Sequence, residues 1–144
     1  MSTAQFAGTW NLVSSEMRTS TGEIHYPLGK DCQGRMIFDT EGNFSAQLMR
    51  TERPKFASDD LLRGTDEEIR TAYQGYVAFW SKIHVDEAKK EATYEVEGSL
   101  FPNWIGHSNL RFYEFEGDRM ILKTPAFTMA GQEITGVLIW ERVR

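Results

Sequence analysis

Apolar and polar residues alternate, or aromatic and β-branched residues cluster, through eight stretches of the chain: 9–17, 32–39, 43–53, 81–86, 91–100, 108–116, 119–124 and 134–143. Turn residues separate them. This pattern predicts eight strands, each with one face turned toward a core. One segment keeps a different period. In "TDEEIRTAYQGYVAFW" (65–80), Ile69, Ala72, Tyr73, Tyr76, Val77 and Trp80 recur at three- and four-residue spacing, which predicts an amphipathic helix. Thr65 followed by Glu68 reads as a capping box at its start.

The connections alternate in length. "DTEG", "DEAKKE" and "EGDR" are hairpin turns, whereas "RTSTGEIHYPLGKD", the segment from Pro54 to Trp80, "FPNWIGH" and "PAFTMAGQE" are long. In an antiparallel meander such alternation puts every long connection at one end. Eight strands so arranged close into an up-and-down barrel able to hold one small ligand, tight at one end and lidded at the other. The aromatics of "FPNWIGH" then line a mouth instead of a core.

The turns also assign faces. With Gly117-Asp118 as a two-residue loop, Phe115 pairs with Met120, Tyr113 with Leu122 and Arg111 with Thr124; this apolar face points inward, with Arg111 at its upper end. With Gly42 left-handed in a three-residue loop, Phe38 faces Phe44 and Met36 faces Ala46, and Leu48 and Arg50 continue that inner face upward. Trp10, Leu12, Ser14 and Glu16 share a face of the first strand, with Glu16 nearest the mouth.

Composition narrows the function. The 144 residues suit one domain, 1–144, with 40% hydrophobic and 26% charged residues, a globular balance. A net charge of −5 without a basic run leaves no electrostatic footprint for nucleic acid or for an anionic membrane. The start "MSTAQFAGTW" has neither the basic nor the apolar region of a secretion signal, and Cys32 is the only cysteine, so the expected location is cytoplasmic. No metal-ligand spacing, phosphate loop or nucleophile elbow is present, and no cofactor is expected.

The sequence resembles the microbial lipocalin-like domain family, a branch of the calycin barrels, through "GTWNLVS", "YPLG", "GNFSAQLMR", "RPKFAS", "YVAFW", "VEGSLFPNWIG", "FEGDRMIL" and "LIWERV". The resemblance implies an all-β, eight-stranded antiparallel lipocalin-like barrel, here with a helix inserted between the third and fourth strands to cover the mouth. It also implies a contact at the closed end between Trp10 and Arg142, and binding of a small molecule. It transfers no catalytic residue.

The candidate ligand-binding residues are Arg111, Tyr113, Arg50, Trp104, Phe101, Tyr76 and Glu16. Arg111 would anchor an anionic group of the ligand, or pair with Glu16 or water at the mouth. Trp104, Phe101 and Tyr76 would cover a flat apolar ligand, while Tyr73 and Trp80 have the spacing of a packed face. His25 and His107 fall in mouth loops, where a surface role competes with acid–base work. The leading reading is an intracellular barrel that binds a small, largely apolar molecule, anionic or aromatic in character. The alternative is a cofactor-free cyclase or isomerase of a natural-product pathway, and a third reading is a scaffold whose barrel is filled by its own side chains.

Overall fold

In the computed structural model, which describes residues 3–144, the elements are β1 (Gly8–Thr19), β2 (Ile24–His25), β3 (Gln33–Phe38), β4 (Asn43–Met49), α1 (Asp66–Gln74), β5 (Tyr76–Asp86), β6 (Glu91–Ser99), β7 (Ser108–Glu116), β8 (Arg119–Lys123), β9 (Phe127–Met129) and β10 (Gln132–Arg142). Eight strands form a closed antiparallel barrel in the order β1-β3-β4-β5-β6-β7-β8-β10, closed by β1 pairing with β10. The two short strands are ribbons at the lidded end: β2 lies beside Met17 and Arg18, and β9 makes a hairpin with the start of β10. The turns at 39–42, 87–90 and 117–118 share one end, and the long connections share the other. The barrel and its handed-out ends are those that the alternating connections predict.

Turn chemistry sets the registers. Phe38↔Phe44, Met36↔Ala46, Phe115↔Met120 and Tyr113↔Leu122 all pair as expected, with Gly42 at a φ of +88° in the first of these hairpins. The inward face of the barrel carries a column of rings. Phe6 meets Phe38 at 5.5 Å, Phe38 stacks on Phe44 at 4.7 Å, and Phe44 meets Tyr94 at 4.6 Å.

The closed end is plugged. The guanidinium of Arg142 lies 4.2 Å from the centroid of the Trp10 ring and donates to the carbonyls of Ala7 and Gln5, each at 2.8 Å. The indole N–H of Trp10 donates to Phe6 O at 2.8 Å. Gly8 is needed here: its φ is +124°, and a Cβ would sit 3.0 Å from Arg142 Nη1. The contact implied by the resemblance is present.

Two expectations fail. The helix ends at Gln74, where the Gly75 N–H caps Thr71 O and Tyr73 O, so Tyr76, Val77 and Trp80 belong to β5. Pairing of 76–80 with β4 takes that aromatic run into the sheet, which outweighs a helical spacing that could bury only one stripe. The Thr65–Glu68 capping box is present as expected, but α1 buries none of its residues, and Tyr73 and Trp80 are exposed instead of buried.

The second failure is on β1. Leu12 pairs with Trp140 but Ser14 with Ile139, so Val13 is an extra residue in a bulge. A bulge exchanges the faces beyond it. Ser15 and Met17 therefore turn inward, and Ser14 and Glu16 turn outward.

Candidate functional site

Burial divides the inward side chains into two zones. Toward the closed end, Trp10, Met36 and Met120 are shut off from solvent. Toward the lidded end Met17, Val77, Phe79, Arg111 and Leu138 point inward on four different strands yet stay partly exposed. These partly exposed inward residues make up the candidate site. Trp104, on a short 3-10 turn (Pro102–Trp104), stands over it: its ring meets Phe79 at 5.8 Å and Phe101 at 5.7 Å.

Arg111 is the one charged side chain in this upper zone among the described residues. Ala92↔Arg111 pairing puts it inward beside Tyr94, whose ring centroid lies 5.4 Å from the guanidinium carbon. Arg111 Nη1 donates to Leu110 O at 2.8 Å, and among the described residues no carboxylate forms a salt bridge with it. Burial pulls its pKa down, and the Tyr94 phenol acts in the opposite direction. Tyr94 is only 3% exposed, and its hydroxyl has no hydrogen-bond partner. Burial pushes that phenol up to about 12, against the lowering influence of the Arg111 charge.

Trp104 and Phe101 touch each other, and a chain of rings through Phe79 and Tyr94 connects them to Arg111. Tyr113 points inward as expected, but sits in the floor: its ring packs against Phe6 at 5.0 Å and Phe115 at 5.6 Å, and its main-chain N–H bonds Lys90 O of a closed-end turn. Three expected residues lie outside. Glu16, turned out by the bulge, bonds Arg18 at 2.9 Å and so does not neutralise Arg111. Tyr76 is the first residue of β5 and alternates with inward Val77; its hydroxyl bonds Gln47 on the outer wall and the Arg53 guanidinium covers its ring at 5.0 Å. Arg50 follows the last paired residue of β4 and is exposed, its stem lying against Gly75 at the end of α1.

Tyr94 and Phe79 are the residues that the sequence reading missed. Tyr94 alternates with exposed Glu95, which signals its inward face. Its place beside Arg111 depends on the β6–β7 register across the long connection 100–107, which no turn motif sets.

Two open grooves of about 520 and 440 Å³ cross the outer wall. The first is lined by Asn11, Arg35, Gln47 and Tyr76, the second by Ala78, Trp80, Glu97 and Ile105, and neither includes Arg111 or Tyr94. Both are lined mainly by outward side chains, although the second also reaches Phe79. Among the described residues no three His, Cys, Asp or Glu side chains could hold a metal ion. No helix among them is long and apolar enough to cross a membrane.

A barrel of eight strands with a plugged end and a lidded one is the architecture of a lipocalin, and the chain belongs to the lipocalin-like domain family, whose model matches residues 7–143. It is 32% identical over 106 residues, 69% of this chain and 96% of the other, to the 4'-hydroxy-3'-methoxypropiophenone carrier protein of Aspergillus oryzae. No solved structure matches it.

Proposed function

We propose that the protein is a cytoplasmic carrier for a small, largely apolar aromatic molecule, held in the upper half of the barrel with its polar end at Arg111. The observation that carries this reading is an inward guanidinium, without a carboxylate partner among the described residues, against the Tyr94 ring. The relative's name supports a phenolic aryl ketone as the ligand class. Tyr113 forms the floor in this reading and does not touch the ligand. The enzymatic alternative has less support, because Glu16 faces outward and both His25 and His107 are exposed.

Calorimetric titration with 4'-hydroxy-3'-methoxypropiophenone tests it. Saturable binding is expected in the wild type. Arg111→Met should weaken it about ten- to a hundredfold, the loss of one charge-assisted hydrogen bond in a site of limited water. Absence of binding to the wild type by this ketone and by homologues with longer or shorter alkyl chains would sink the carrier reading.

A further inference from the structure

The inner wall offers donors and lacks charged acceptors. No aspartate or glutamate occupies an inward position on the barrel strands among the described residues. The inward polar groups left without a partner are the Tyr94 hydroxyl and, lower down on β10, the Trp140 indole N–H, which can only donate. Arg111 spends one of its five N–H groups on a backbone carbonyl of its own strand. Buried polar groups are nearly always paired, and a buried charge without a counter-ion is costly, so the adjacent Arg111 and Tyr94 call for a common explanation.

We propose that the interior selects its ligand as an oxyanion, with Arg111 supplying the charge and the Tyr94 hydroxyl a second donor, so that a phenolic aryl ketone is carried as its phenolate. This rests on the carrier reading above. On binding, the phenol O–H bond breaks heterolytically, the electron pair stays on the oxygen, and the proton leaves to solvent through the lidded end. Nothing is oxidised or reduced. Tyr94 remains protonated, and therefore a donor, through the neutral range because burial holds its phenol near 12.

The surroundings leave this pair in control of the ionisation. Phe44 from β4, Phe79 from β5, Ala92 from β6 and Leu122 and Leu138 from β8 and β10 are the inward neighbours, and none of them titrates. Tyr113, farther down β7, and Cys32 are buried groups that also titrate; burial raises the pKa of each, Glu87 and Asp86 add to it for Tyr113, and Lys90 stands over the Tyr113 ring at 6.0 Å. An anion bound at Arg111 should thus have a lower pKa than in water, and affinity should rise with pH between the bound and the free pKa and level off above the free value.

The probe is 4'-hydroxy-3'-methoxypropiophenone, whose absorption moves to longer wavelength when the phenol ionises. Its pKa is read free and protein-bound, with its 4'-O-methyl ether as the neutral control. The expected result is a bound pKa lower by about one unit or more, a tenfold preference for the anion, and an ether that binds at least about tenfold more weakly than the phenol. Tyr94→Phe should reduce the shift, and Arg111→Met should abolish it while the ether's affinity stays within about twofold. A bound pKa equal to or above the free value in the wild type overturns the proposal whether or not the variants fold, and leaves the carrier reading standing if both compounds bind. A shift that survives Arg111→Met overturns it as well. Failure of both compounds to bind overturns the carrier reading and this inference together.

Discussion

The indole of Trp80 lies over Gly98 on the outer wall of the barrel, so closely that a Cβ on residue 98 would fall 2.1 Å from the ring. The two are cross-strand partners beside the irregularity in β5–β6 pairing, and the ring covers backbone that a glycine leaves bare. Gly98→Ala should therefore destabilise the fold by about 1–3 kcal/mol, the cost of overpacking. In a Trp80→Ala background the same change should cost far less, and a double-mutant cycle by chemical denaturation measures the difference. Additive effects would mean that the ring moves aside freely. Ligand affinity should not change, because Trp80 lies outside the barrel.

Trp10 is completely buried beneath Arg142. Trp10→Ala should cost about 3–5 kcal/mol through the lost indole and the cavity left behind. Urea denaturation should show a lower midpoint with little change in slope. A near-neutral result would mean that Phe6 alone seals the closed end.

Trp104 should report occupancy. Trp10 and Trp140 are buried in the lower barrel, and Trp80 is 58% exposed on the outside, which leaves Trp104 as the tryptophan at the mouth. Adding 4'-hydroxy-3'-methoxypropiophenone should quench the emission of the wild type, and Trp104→Phe should lose most of that change. If the variant keeps the full signal, the segment 100–107 does not border the ligand.

Alkali should destabilise the fold through Tyr94. Its pKa is about 12 in the folded protein against 10.0 for a free phenol, so the folded state holds the proton more tightly than the unfolded state. The stabilisation is fully present below pH 10 and is lost as pH rises toward 12, on the order of 2–3 kcal/mol in all. Tyr113 is shifted in the same direction and adds to the slope. Tyr94→Phe should flatten the fall of unfolding free energy between pH 10 and 12; an unchanged slope would assign it to other groups.

The barrel was legible in the sequence because its determinants are local. Gly42 and Gly117-Asp118 set two hairpin registers, and the alternation of short and long connections sorted the two ends. The site was legible only where such a register reached it, as with Arg111 on the strand after 100–107. Glu16 was lost to a bulge at Val13 that carries no turn signal. Tyr76 was lost because helical spacing runs on past Gly75, although pairing with Met49 of β4 makes it a strand residue. Tyr94 owes its position beside Arg111 to a long-range register, and its unpaired hydroxyl is a property of the packed interior.

The interior and the outer grooves present different residues to a ligand, and amide chemical-shift mapping distinguishes them directly. Isotopically labelled protein would be titrated with 4'-hydroxy-3'-methoxypropiophenone and the shifts assigned by residue. The largest changes should fall on Met17, Val77, Trp104, Arg111 and Leu138, with little change at Asn11, Arg35 and Ile105. Changes confined to those last three residues would place the ligand on the outer wall and contradict the carrier account.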